Sequence, residues 1–438
     1  MTQIKERARE SSFATFGPIT KLKTIVINEK ENTRVPFLRG ILTRSLLDAG
    51  LEFEEAFVLA TQLREGLGDV DEVTTDFIRG EVFKLLEENG HLGALEPYKL
   101  PLVAPAKIQV NSLSGTESSF SRERHERYLQ ASGMKAERAE QTTALIYDHL
   151  LTTGVNSITT CQLGYLTYLC VRQEVSKKAA KRYLVWSEYQ RSARPLLLLI
   201  CGTVGTGKST IATEVAHLLD IVRIQSTDML REVMRMMMPE RLLPVLHTSS
   251  FDAWSALPIQ DLRDRDPGQL VADGYRSQAN LLSVPCEAVL NRAMEESVPV
   301  ILEGVHAHPD LIERLPPDSD AILVHATLAV LKAKELKSRL RGRGAKVPQR
   351  RSKRYLNKFE SVWSLQSYLL SEADRCDVPI ITNNDKEKAT QQIIQHVVQE
   401  LSKQFKGNAR DIFGEVVDEI EDLAKVQPWH QLVVALSD

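Results

Sequence analysis

Between Leu38 and Leu95 apolar residues return every three or four positions, the spacing of helices that bury one face. Ahead of them Leu22–Ile27 is a short β-rich run followed by ENTRVPF, which predicts a hairpin feeding a helical bundle. Helical spacing returns after the turn-rich stretch Pro97–Lys107 and the polar run NSLSGTESS, and ends at the polar RSARP of Arg191–Pro195. From Pro195 the pattern changes to short apolar runs separated by helical periods: LLLLIC, IVRIQ, VPVIL, AILVHA and VPIIT. Five such runs alternating with helices predict an α/β domain with a parallel sheet covered on both faces.

The second helical stretch resembles the first. Sliding the chain by 83 positions sets Leu46 on Leu129, Gly50 on Gly133, Leu51 on Met134, Ala56 on Ala139 and Leu67 on Leu150. A duplication and two unrelated amphipathic bundles both fit that match. The predicted organisation is a flexible leader over 1–18, a first domain over 19–104, a linker over 105–115, and a helical domain, open to being a second copy, over 116–192. An α/β domain over 195–404 and a helical tail over 405–438 complete it.

Composition narrows the function classes. An apolar fraction of 43% and a charged fraction of 26% describe a globular chain rather than a disordered or collagenous one. The longest apolar run, Leu196–Cys201, is about a third of a bilayer crossing. A formal charge of −3 gives no overall field toward nucleic acid or anionic lipid, so phosphate recognition must be local. Five scattered cysteines without a C-x-x-C pair argue against a disulfide framework or a zinc site and for the cytoplasm.

Local phosphate recognition has a clear candidate. Gly202-Thr203-Val204-Gly205-Thr206-Gly207-Lys208-Ser209, followed by Thr210, satisfies G-x-x-x-x-G-K-[ST] between an apolar strand and a helix. The glycines let backbone N–H groups converge on phosphate oxygens, Lys208 reaches the terminal phosphates, and the Ser209 hydroxyl serves Mg²⁺. The pattern predicts ATP or GTP binding.

In a parallel sheet, ligands gather beyond the carboxyl ends of the strands. After the second run stands Asp228, read as the residue that takes the acceptor proton or helps hold Mg²⁺, with helix capping as the alternative. Arg231 and Arg235 share a helix face and suit an acidic acceptor, or else pair with neighbouring acids on a solvated surface. Glu303 ends the third run, where a carboxylate orients metal or water, and His306 behind it is read as a substrate contact or a loop residue. The basic stretch with Arg339, Arg343 and Arg350 fits a lid closing cations on the transferred group, or a nucleic-acid-facing segment; the net charge favours the lid. The loop Asn383-Asn384-Asp385, after the fifth run, is read as a nucleotide contact, with Asn383 foremost, or as a helix cap by Asn or Asp.

With those residues in view, 195–404 resembles the 2-phosphoglycerate kinase family, including its plant relatives linked to phytic acid metabolism. The motifs that carry the likeness are GTVGTGKSTIATEVA, IQSTDMLREVMR, HTSSFDAW, DGYRSQ, ILEGVHAHP, RYLNKFESVWSLQSYL and VPIITNND, in that order. The resemblance implies a P-loop kinase with sheet order 2-3-1-4-5 that uses Mg²⁺ and ATP to phosphorylate 2-phosphoglycerate to 2,3-bisphosphoglycerate. Upstream, IVINEKENTRVPFLRGILTRSLLDAG is similar to an ATP-cone, a regulatory nucleotide-binding module, but Ile27-Asn28-Glu29 stands where that module carries adjacent Lys and Arg. A structural or dimerising role is therefore open beside nucleotide binding.

The sequence thus predicts Lys208, Asp228 and Glu303 in catalysis, Ser209 and Asp228 on Mg²⁺, and a small phosphorylated acceptor as partner, with homo-oligomerisation through the N-terminal helices left open. Nucleic acid and membrane are not expected as partners. An inositol phosphate or nucleic-acid-end kinase, and a non-catalytic ATP sensor, are the rival functions.

Overall fold

A computed structural model of the chain describes residues 24–28, 33–68, 70–98, 108–112, 115–153, 155–258, 266–316, 319–342, 350–418 and 429. The expected leader, part of the linker and the end of the tail lie outside these residues. The described residues form two compact units, one drawn from positions up to 126, 136–180 and from 409 onward, the other from 127–135 and 181–408.

The first unit contains two three-stranded sheets of one topology. In the first, β1 (Ile25–Asn28) pairs antiparallel with β2 (Thr33–Pro36) and parallel with β3 (Glu72–Thr74), with helices α1 (Arg39–Asp48) and α2 (Phe53–Leu67) in between and α3 (Thr75–Glu88) after. In the second, β4 (Gln109–Asn111) pairs antiparallel with β5 (Glu117–Ser119) and parallel with β6 (Ser157–Thr159). Helices α4 (Arg122–Ala131) and α5 (Ala136–Thr152) lie between those strands in sequence, and α6 (Thr160–Cys170) follows. Val26 is paired with Val35 and Val73 in one, Val110 with Ser118 and Ile158 in the other. Thr74 and Thr159 each close the third strand and cap the next helix, accepting from Phe77 N and Gln162 N.

Two expectations change here. Residues 109–111, placed in a linker, form the central strand of the second sheet, and both helical regions contain strands. Strands of three residues are too short for alternation to register against flanking helical periods. The first turn of α1 has no side-chain cap from Leu38; the Asp148 carboxylate of α5 instead accepts the Gly40 N–H at 2.5 Å, with Arg39 at 3.8 Å.

The second unit is built on a five-stranded parallel sheet ordered β11-β10-β7-β9-β8. Its strands are β7 (Leu196–Cys201), β8 (Arg223–Ser226), β9 (Val300–Glu303), β10 (Ile322–Ala329) and β11 (Ile380–Thr382). Every residue of β7 is buried, which is why the sequence shows an unbroken apolar run rather than alternation. Leu196, Leu198 and Ile200 face one core with α8 (Lys208–Leu219) and α15 (Lys386–Gln404). Leu197, Leu199 and Cys201 face the other, with α10 (Pro267–Glu295) and α14 (Phe359–Arg375). The first core also takes in Ala131 and, from α7 (Lys177–Arg191), Val185, Trp186 and Tyr189. These residues were expected in the helical domain; their apolar side chains cover the sheet instead. Completing this unit are α9 (Thr227–Met237), α11 (Asp310–Glu313), α12 (Ala333–Gly342) and α13 (Arg350–Asn357), while α16 (Ala409–Phe413) belongs to the first unit.

Strand register sets the functional edge. Ser226 lies across from Glu303, and Glu303 across from Ile200, so the carboxyl ends of β8, β9 and β7 finish side by side. No helix among the described residues is long and apolar enough to cross a membrane.

Candidate active site

β7 runs into the glycine-rich loop and α8 begins at Lys208, so the loop amides stand at the open start of a helix. Gly207 has φ +88°, and a Cβ there would lie 2.5 Å from Asn383 Nδ2, so only glycine fits. Around it the loop is held by side chains on its carbonyls. Lys208, buried, donates Nζ to Thr203 O at 3.0 Å; Thr206 Oγ1 donates to the same oxygen at 2.9 Å, and Asn383 Nδ2 donates to Thr206 O at 2.7 Å. The Thr203 hydroxyl is buried and has no hydrogen-bond partner.

Ser209 Oγ donates to Glu303 Oε1 at 3.0 Å, and Glu303 is only 5% exposed. A cradle that a Cβ would fill, an orphaned hydroxyl, a lysine, and a serine–carboxylate pair of hard oxygen donors fit a nucleotide triphosphate with Mg²⁺.

Behind Glu303 the chain turns at Gly304, and there His306 meets residues the sequence did not single out. Thr227 Oγ1 is 3.5 Å from His306 Nδ1, and His306 Nε2 is 2.8 Å from Gln278 Oε1. Gln278 Nε2 donates to Val245 O at 2.6 Å, which fixes Oε1 as acceptor and puts the imidazole proton on Nε2. Nδ1 is then the acceptor for the Thr227 hydroxyl. Burial lowers the His306 pKa to about 3, outweighing the raising effect of Asp228, so the ring is neutral. Tyr275 stacks on it at 5.9 Å. His306, read as a substrate contact or a loop residue, has its two nitrogens facing Thr227 and Gln278.

Asp228 is open to solvent, its side chain 62% exposed, in the first turn of α9 with Arg231 at 3.9 Å. Ser226 holds the cap position, so the capping alternative for Asp228 is corrected. Arg231 is mostly buried and donates to Thr248 O at 3.1 Å; Arg235 donates to both oxygens of Glu232 at 2.9 and 2.8 Å. Both Nε atoms are buried without a partner. In the loop after the fifth strand the expected cap is Asp385, which accepts from Lys388 N at the start of α15, while Asn383 holds the phosphate loop.

Arg339 belongs to a fixed element. It donates to Glu335 at 2.7 Å and to the carbonyl of Asn383, which itself holds the phosphate loop. Arg343 and the side chain of Arg350 lie outside the described residues. Thr227, Gln278 and Tyr275 escaped the sequence reading because polar residues inside long helical or turn segments look like solvated positions; the DGYRSQ run, Asp273–Gln278, held the available signal.

Comparison with protein-family models finds no match. The chain is 31% identical over 296 residues to a protein named 2-phosphoglycerate kinase from Pyrococcus furiosus, covering 68% of this chain and 95% of the relative. Relatives of the same name from Methanopyrus kandleri and Thermococcus kodakarensis are 32% and 34% identical, covering 66% and 57% of this chain and 86% and 82% of the relatives. A crystal structure of an uncharacterized protein from Eubacterium ventriosum aligns with a TM-score of 0.26 at 17% identity, over 47% of this chain and 98% of that one.

Proposed function

The chain belongs to the 2-phosphoglycerate kinase family, and from that premise we propose that it transfers the γ-phosphoryl group of ATP to the hydroxyl of 2-phosphoglycerate, giving 2,3-bisphosphoglycerate. The observation that carries this reading is the Ser209–Glu303 pair at the mouth of a glycine cradle, with Asp228 and Arg231 at the start of α9, the helix that follows the neighbouring strand. Mg²⁺ with ATP would supply charge neutralisation between the β and γ phosphates. Lys208 grips the terminal phosphates, Ser209 and Glu303 offer the oxygen ligands or orient them, and Asp228 accepts the proton of the attacking hydroxyl. Arg231 and Arg235 exchange part of their pairing with Glu232 for the carboxylate and phosphate of the acceptor.

We read the two three-stranded sheets with their helices as two ATP-cone-like copies, supported by their common topology and capping threonines. The cytoplasm is supported by five cysteines without paired spacing.

The test is ADP release with 2-phosphoglycerate, 3-phosphoglycerate, glycerate and inositol phosphates, for the natural chain and Lys208→Ala. Turnover confined to 2-phosphoglycerate, lost by orders of magnitude in the variant, is the expected result. Turnover with inositol phosphates alone would transfer the reading to that acceptor class.

A further inference from the structure

A cavity of about 390 Å³ lies between α10, α11 and α14, edged by Arg276, Arg314 and Arg375 and floored by His308 and Tyr368. Neither the glycine-rich loop nor Asp228 lines it. His308 is 8% exposed. Its Nδ1 accepts the backbone N–H of Asp310 at 3.3 Å. An amide N–H only donates, so in the neutral ring the proton sits on Nε2. That Nε2 is buried and meets no hydrogen-bond acceptor; Glu372 Oε2 stays 3.8 Å away. Burial lowers the ring's pKa against the raising effect of Asp310 and Glu372, with Arg375 and Arg276 adding to the lowering, so the ring stays neutral near pH 7.

A buried donor without an acceptor is costly unless something fills it. Two chemistries compete for the place. Ligand atoms of His308, Asp310 and Glu372 lie within 4.8 Å of one another, a spacing that could surround a divalent cation. Both carboxylates, however, already hold Arg375, at 3.1 Å from Asp310 and 2.8 Å from Glu372. A cation would have to displace that guanidinium and use a nitrogen that carries the proton. An oxyanion needs neither change.

The other two arginines are held at the rim by their own contacts. Arg276 donates Nε to Tyr368 OH at 2.8 Å and lies over that ring; Arg314 donates to Ser283 Oγ at 2.9 Å and faces Glu287 at 3.4 Å. Each guanidinium has five N–H donors in a planar fork that matches a phosphate edge.

We propose that this cavity is a second anion site, separate from the nucleotide loop, that binds a small phosphate monoester through His308 Nε2 and the arginine forks. The cavity volume suits a ligand of a few carbons. The proposal rests on the cavity and not on the kinase reading.

The test is calorimetric titration of the full chain carrying Lys208→Ala, which weakens phosphate binding at the glycine-rich loop, with inorganic phosphate and with 2-phosphoglycerate. Beside the 2-phosphoglycerate binding at Arg231 and Arg235, a saturable component is expected with both ligands that weakens about tenfold or more in Arg276→Gln with Arg314→Gln and in His308→Phe. Both arginines are about half exposed, so these variants should fold, which circular dichroism checks; Ser283→Ala is a milder second probe. Phosphate affinity indifferent to the cavity variants overturns the proposal. So does a thermal shift by Zn²⁺ or Mg²⁺ that depends on Asp310 and Glu372 without any phosphate binding.

Discussion

The hydroxyl of Ser209, the second residue of α8, donates to the carboxylate of Glu303, the last residue of the neighbouring strand, at 3.0 Å. The two are 94 positions apart in sequence, and the β7–β9 register, with Ile200 opposite Glu303, is what makes them meet.

Glu303→Gln keeps the shape of that pair and removes its charge. We expect kcat to fall roughly 10–100-fold with little change in fold, as for groups that orient a metal or its ligands. Combined with Ser209→Ala, the loss should be well short of the product of the two single losses, because both variants break one interaction. Steady-state rates across a Mg²⁺ titration check it; multiplicative losses would show that the pair does not act as a unit.

Gly304→Ala should cost about 1–3 kcal/mol in stability. Gly304 has φ +151°, and an added Cβ would run into Thr227 Oγ1. Urea unfolding of the single variant, and of the double variant with Thr227→Ala, separates clash from backbone strain: the second substitution should recover part of the loss, and no recovery would mean that strain accounts for all of it.

Histidines that burial holds neutral make the protein sensitive to mild acid. Burial lowers His125 to about 4, and His306 and His325 to about 3. A base held below its unfolded value near 6.5 stays neutral in the folded chain while the unfolded chain takes up a proton. Stability is therefore full above pH 6.5 and falls as pH drops from there toward 3–4, by up to about 1.4 kcal/mol per pH unit for each histidine. Unfolding midpoints measured between pH 7.5 and 4.5 check this. In His125→Gln, whose native ring bonds Thr143 and Thr167, the slope should be shallower by about one histidine's share.

Residues 409–418 and 429 are part of the first unit. Phe413 packs on Tyr165 at 5.8 Å, and Trp429, 2% exposed, meets His149 edge-on at 4.7 Å and donates Nε1 to Glu174 at 3.3 Å. Phe413→Ala or Trp429→Ala should each cost about 3 kcal/mol. Chemical denaturation reads it; a change below about 0.5 kcal/mol would mean that the contacts do not persist in solution.

Chemistry confined to one short stretch was legible before any fold was known. The loop from Gly202 to Ser209 declares itself because its glycines, lysine and serine act within eight consecutive positions. The parallel sheet was legible for a related reason: strands buried on both faces must be continuously apolar, as Leu196–Cys201 is. Three-residue strands such as β4 and β6 leave no such trace, and neither does the carboxylate that Asp148 lends to the start of α1.

What the sequence determined by itself was the kind of chemistry and the elements that bear it, since residue type and local spacing are properties of the chain. Tertiary structure alone decided the partners. Glu303 reaches Ser209, Gln278 reaches His306, and Asn383 reaches Thr206 across 94, 28 and 177 positions because strand register and helix packing bring their ends to one edge. Contacts of that separation depend on the summed burial of two cores, and no local pattern encodes them.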